Sequence, residues 1–208
     1  MNLYVVGDSI SIHYGPDLKR YLAGVMGYAR KEGEEEALLN LDKPSGANGG
    51  DSSMVLSFLK GKAAAGGVDA DLVLVNCGLH DIKTDPQTRR QQIPIEDYAT
   101  NLRAIIEVVA KMDSQLIWIR TTPLDEAVHN KSAVGFHRFS TDHEAYLRVA
   151  DEIMAAAHVP VIDLHTFTAK LGPDLFCDHV HFHESIREKQ AAYIAGWLDA
   201  YRGNLAIK

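Results

Sequence analysis

A chain of 208 residues with 46% hydrophobic and 24% charged side chains has the composition of an ordinary globular protein. That length fits one domain, residues 1–208, able to hide roughly 70% of the surface its unfolded form exposes. The formal net charge of −7 argues against nucleic acid or an anionic membrane surface as main partner. No apolar run approaches the roughly 18 residues of a membrane span. No basic segment with a cleavage site precedes Leu3, so the expected location is cytoplasmic and the expected partner a small molecule. Oligomeric state is not legible.

In chain order, the first element is a buried strand, Leu3–Val6, which breaks at Gly7 and is followed by a helix over about Pro16–Met26. Lys31–Glu36 is acidic and reads as a solvated loop, and Ala37–Leu41 as a weak second strand. A helix follows at Ser52–Lys62, then a turn at Ala63–Gly67 and a third strand at Asp71–Asn76. The long loop Lys83–Pro94 leads to a helix at Ile95–Met112, which lines up Tyr98, Leu102, Ile105, Ile106 and Val109. The fourth strand is Gln115–Arg120, followed by the loop Pro123–Ser140, a helix at Thr141–Ala157, a fifth strand at Val159–Asp163 and a last helix at Glu184–Tyr201. The strand runs are continuous rather than alternating, as parallel strands covered on both faces should be. Strands alternating with helices predict βαβ units with right-handed crossovers, hence a three-layer α/β/α sandwich around a five-stranded parallel sheet. Ligands in such sheets bind beyond the carboxyl ends of the strands, where Ser9, Gly78 and Thr121 all fall.

Ser9 is the candidate nucleophile: it stands where the first strand turns toward a helix, although serines there often serve only as helix caps. A base is available in Cys177-Asp178-His179-Val180-His181-Phe182-His183. Asp178 and His181 are three residues apart, so in a turn the carboxylate can fix the imidazole tautomer while His181 takes the Ser9 proton. The same stretch leaves two other readings: His183 as the base, and a His-x-His metal site, the latter disfavoured because no second ligand cluster accompanies it. Asn48-Gly49-Gly50-Asp51 precedes a helix, and a glycine there lets a backbone N–H approach substrate closely. Gly78-Leu79-His80-Asp81 puts a polar side chain at the sheet edge. Cys77 and Cys177 are expected to be reduced thiols.

These four blocks together resemble the GDSL-type (SGNH) hydrolase family over nearly the whole chain. The resemblance implies a flavodoxin-like α/β/α fold, ester hydrolysis without metal or other cofactor, Ser9 as nucleophile, Asp178 and His181 completing a triad, and Gly50 (with Gly49 as rival) and His80 as oxyanion donors. His80 is the departure, because the family usually carries asparagine there. Gly78-Leu79-His80-Asp81 with Thr121-Thr122-Pro123 resembles a subgroup of carbohydrate and small-acyl esterases. The expected activity is therefore hydrolysis of short acyl, especially acetyl, esters, with a saccharide as a candidate alcohol. The alternatives are a thioesterase or lysophospholipase using the same triad, and a non-catalytic binding module on the same fold. Val134, Phe136 and Phe139 in the Pro123–Ser140 loop are candidates for an acyl pocket, and Arg89 and Arg90 for contact with a polar or anionic leaving group.

Overall fold

Mainly apolar strands can be satisfied only inside a covered sheet, and the structure builds one from them. It is a computed structural model that describes residues 1–131 and 135–205. In chain order the elements are β1 (Asn2–Val6), α1 (Ser9–Tyr21), β2 (Gly27–Arg30), α2 (Glu34–Leu39), α3 (Ser52–Ala64), β3 (Leu72–Val75), α4 (Ile95–Ala110), β4 (Gln115–Ile119), α5 (Glu126–His129), α6 (Ser140–Ala156), β5 (Val161–Ile162), α7 (Leu164–Ala169) and α8 (Glu184–Leu205). The strands lie in the order β2-β1-β3-β4-β5, every neighbouring pair parallel. α1 packs on α8 with α7 beside it, while α3, α4 and α6 pack in succession. These two helical layers and the sheet make the three-layer α/β/α sandwich.

β3 is buried along its whole length, and Val5, Val6, Ile117 and Trp118 fill the neighbouring strands. Each such aliphatic side chain contributes about 1.5–3 kcal/mol by leaving water. β1 lies between β2 and β3. The chain leaves β1 toward β2 and later returns to the other side at β3. Their diverging carboxyl ends open the crevice in which doubly wound folds bind ligands, and Ser9 and the Gly78–Lys83 loop lie on either side of it.

The second strand differs from the expected one. Ala37–Leu41 does not pair with the sheet: Glu34–Leu39 is a helix that buries Ala37 against Ile12 and Ala47 and leaves Leu38 and Leu39 exposed. Three glutamates in its first turn favour helix there, since carboxylates complement the positive end of the peptide dipoles. The edge strand is Gly27–Arg30, paired from Asn2↔Gly27 to Val5↔Arg30. The first helix also begins earlier than expected, at Ser9 rather than Pro16, and carries Pro16 in its interior.

Candidate active site

β1 ends on Val6, and Gly7 makes a parallel bridge to Asn48 before the chain turns into α1. Asp8 caps that helix: its Oδ1 accepts the Ile10 N–H at 3.0 Å. A cap of this kind contributes about 1 kcal/mol. Capping is thus done by Asp8, and the hydroxyl of Ser9, the first helical residue, is left for other work.

The loop before α8 delivers the partner. Asp178 Oδ1 accepts the backbone N–H groups of Val180 (2.8 Å) and His181 (2.7 Å), which curls the segment into a tight turn. The turn is held from below by Cys177 N–H donating to His181 O and His183 N–H donating to Leu175 O. His181 then faces Asp178 with one ring nitrogen and Ser9 with the other: Nδ1 lies 2.7 Å from Asp178 Oδ2, and Nε2 lies 2.8 Å from Ser9 Oγ. A carboxylate only accepts, so Nδ1 carries the proton and Nε2 is the acceptor for the serine hydroxyl. Residues 172 positions apart meet at hydrogen-bond distance in a pocket where Ser9 is 6% and His181 2% exposed.

The electrostatics suit that arrangement. Burial pushes the Asp178 carboxyl up, but the Val180 and His181 N–H bonds and the imidazole outweigh it and bring it down to about 2. Burial lowers His181 below its ordinary 6.5, and Asp178 only partly offsets this. The ring is therefore neutral at pH 7, the state a general base needs. His13, one turn after Ser9 on α1, stands edge-on to His181 with ring centroids 5.1 Å apart. Burial, Arg187 and His181 bring His13 down to about 4, so it adds no competing positive charge.

The expected oxyanion donors are the Ser9 N–H, the Gly50 N–H and the His80 ring. The Ser9 N–H has no intrahelical acceptor, being in the first turn. Gly50 has φ +70°, and a Cβ there would meet Met54 Sδ and Pro44 Cβ at 2.7 Å. Its N–H donates to Asn48 Oδ1 at 3.0 Å, a side-chain acceptor that can yield to substrate. The rival Gly49 N–H is committed to a backbone bond with Gly7 O at 2.8 Å. His80 is 2% exposed, and its Nδ1 has no partner among the described residues. Burial, then Lys83 and Arg138, hold His80 well below 6.5, so its ring is neutral at pH 7. Its loop is anchored by Asp81, whose two carboxylate oxygens take the Ser52 N–H at 2.9 and 3.1 Å. Gly78, with φ +145°, would drive a Cβ to 2.8 Å from Thr121 Oγ1.

Spacing gave no sign of the polar cluster behind this loop. Arg138, 2% exposed, donates Nε–H to Leu79 O at 2.7 Å, and its Nη1 approaches His129 Nδ1 at 3.4 Å. His129 Nδ1 also lies 2.9 Å from His179 Nδ1, and His179 Nε2 lies 3.1 Å from Asp42 Oδ1. A carboxylate only accepts, so His179 donates to Asp42 from Nε2. Lys83, 9% exposed, donates to Asp42 O at 2.9 Å. Phe136 does not line an open acyl pocket: Lys83 Nζ lies 4.4 Å and Arg138 Cζ 5.0 Å from its ring centre. Phe139 is covered by Arg89 at 4.6 Å, and Val134 lies outside the described residues.

His183 stands apart from Ser9 and faces Asp174 at 3.3 Å. Potential ligand atoms of Asp178, His179 and His181 lie within 4.8 Å of one another. Both His181 nitrogens are already engaged, however, and a metal would have to displace Ser9 or Asp178. Cys77 is buried, Cys177 exposed, and both are free thiols. A groove of about 520 Å³ between α4 and α6, lined in part by Ile106 and Val149, contains no residue of this site. No helix among the described residues is long and apolar enough to cross a membrane.

The architecture is that of α/β/α carboxylic ester hydrolases. The model of the GDSL-like Lipase/Acylhydrolase family matches residues 5–186, and the chain belongs to that family. Among solved structures it is similar to the lipase/acylhydrolase from Enterococcus faecalis (20% identity, 96% of each chain covered, TM-score 0.71). It is also similar to the acetyl xylan esterase AlAXEase (13% identity, 93% of this chain and 98% of that one, TM-score 0.68). A third is the psychrotrophic esterase EstA from Pseudoalteromonas sp. (14% identity, 95% and 98% covered, TM-score 0.62). A search of curated protein sequences returned no match.

Proposed function

We propose that the protein is a serine esterase that removes short acyl groups, acetyl above all, from a saccharide alcohol. The observation that carries this reading is the contact of His181 Nε2 with Ser9 Oγ at 2.8 Å, backed by Asp178 on Nδ1 at 2.7 Å. Ser9 Oγ attacks the ester carbonyl while His181 Nε2 takes its proton, and Asp178 steadies the imidazolium. The tetrahedral oxyanion draws on the N–H groups of Ser9 and Gly50 and the ring of His80. Collapse expels the alcohol, which His181 protonates, and leaves an acyl-serine. Water, deprotonated by the same nitrogen, then releases the acid and restores Ser9. Every step closes on protein groups and water.

A short acyl group is supported by the buried polar side chains His80, Lys83 and Arg138 gathered on the loop after β3 and the loop that packs on it. Similarity to an acetyl xylan esterase points the same way. The test is a panel of p-nitrophenyl esters from two to twelve carbons beside O-acetylated sugars. Highest kcat/KM for acetyl and release of acetate from sugar are expected. A rate that rises with chain length would transfer the assignment to the lipase or lysophospholipase class.

His80 gives a second expectation. His80→Ala should lower kcat by about 100-fold or more with little change in KM, as losing one oxyanion donor does. His80→Asn, which restores an amide donor, should recover part of the loss. An unchanged kcat in His80→Ala would remove His80 from the oxyanion site.

A further inference from the structure

Lys83 and Arg138 are unusual because a buried cation is best tolerated when a carboxylate pairs with it directly, and Asp8 and Asp42 act on both only through space. No carboxylate oxygen forms an ion pair with either side chain among the described residues. Asp42, the acid closest at hand, spends its carboxylate on His179 and offers Lys83 only its backbone carbonyl. Arg138 Nη2 takes no acceptor among the described residues, although the side chain is 2% exposed. Phe136 lies against both charges, and an aromatic face supplements a counter-ion without replacing it.

Their position ties them to the reaction centre. Arg138 holds the carbonyl of Leu79, the residue before His80. Through His129 and His179 it reaches the segment that carries His181. Asp8, adjacent to Ser9, feels the field of both cations, as does His80. The pair therefore stands between the loop that bears His80 and the loop that bears His181.

We propose that Lys83 and Arg138 form an anion-recognising subsite beside Ser9, and that the acetylated sugar cleaved here carries a carboxylate. The inference rests on the serine-esterase reading for its substrate, and it names the charge that substrate must bear. A planar guanidinium with a free edge beside an ammonium matches a carboxylate in shape and charge. Asp8 and Asp42 act on both cations and the chain carries −7 overall, so a single negative charge is favoured over a phosphate dianion. Burial also depresses both groups, Lys83 to about 8 and Arg138 to about 10, against the opposing field of Asp8 and Asp42.

The experiment compares kcat/KM for O-acetylated glucuronate, O-acetylated glucose and O-acetylated glucose 6-phosphate. The intact protein should prefer the glucuronate ester over the glucose ester by about tenfold or more, the worth of a charge-assisted hydrogen bond. In Lys83→Gln and Arg138→Gln that ratio should collapse toward one. Arg138 also holds Leu79, and a merely structural loss would lower all three rates while leaving the ratio intact. Equal rates in the intact protein, a ratio that survives both substitutions, or preference for the phosphate ester would each overturn the proposal. Calorimetry of glucuronate against glucose on Ser9→Ala reads the same subsite without turnover: tighter glucuronate binding supports it, equal binding sinks it. Failure of the esterase reading shows separately, as absent hydrolysis of p-nitrophenyl acetate by the intact protein.

Discussion

Ser9→Ala is expected to abolish turnover of p-nitrophenyl acetate, lowering kcat by about a millionfold, the scale seen when a triad serine is removed. No other hydroxyl or thiol is in contact with His181 Nε2 among the described residues, so no side chain can replace Oγ as nucleophile. The donors on the oxyanion side survive the change, and a small catalytic remnant over water should persist. Folding should be nearly unaffected. Asp8, not Ser9, caps α1, and the lost Ser9–His181 bond is worth about 1 kcal/mol. Three measurements check this together: kcat, Tm, and labelling by a fluorophosphonate, which should fail on the variant and succeed on the intact protein. Residual activity above a few per cent in a folded variant would remove Ser9 from the nucleophile's role.

The central strands were legible because they have to be apolar on both faces. Leu72–Val75 and Gln115–Ile119 are covered by helices above and below, and burial on two sides writes itself as a continuous run. An edge strand faces no such demand. Gly27-Tyr28-Ala29-Arg30 pairs on one side only, with Gly27 and Ala29 exposed, and has no β-branched residue to announce it. Ala37–Leu41 looked more strand-like, yet its apolar side chains do a helix's work by burying one face, Ala37, and exposing Leu38 and Leu39. The first helix was placed late for a similar reason. Its opening turn, Ser9-Ile10-Ser11-Ile12, alternates like a strand, while the cap that starts it is a single carboxylate on Asp8.

At the site, legibility followed local chemistry. Asp178 and His181 sit in one turn, and Ser9 and Gly50 each precede or open a helix, so sequence position alone carries their geometry. Asp42, Lys83 and the pair His129 and Arg138 come from three separate segments, and only the packing of those segments gathers them. Thr84 and His137 pair as backbone partners and zip the two loops together, a contact without a residue-type signature. Phe136 and Phe139 illustrate the same limit. As apolar residues in a loop they suggested an acyl pocket, but the structure places cations against both rings.

Asp178→Asn should cost about 10,000-fold in kcat, the penalty of presenting the imidazole in the wrong tautomer. Asp178 now uses both oxygens: Oδ1 takes two backbone N–H groups and Oδ2 takes His181 Nδ1–H. Asparagine has one oxygen. If it keeps the backbone pair, its NH₂ faces Nδ1 and forces the proton onto Nε2, which then donates toward Ser9 and cannot accept from it. The pH profile separates this from a general loss of structure. Asp178 raises the His181 pKa against the larger effect of burial, which lowers it. In the intact protein the acid limb of kcat/KM should therefore fall below pH 6.5, and in Asp178→Asn it should move lower still. Stability gives an independent reading. The Asp178 carboxyl lies at about 2 in the fold, against an ordinary 3.8, so its contribution is complete above pH 4 and is lost as pH falls toward 2. Unfolding midpoints followed from pH 5 to pH 2 should lose part of their acid dependence in the variant. A fall in kcat of less than tenfold, with the acid limb unmoved, would mean that His181 is oriented by something other than Asp178.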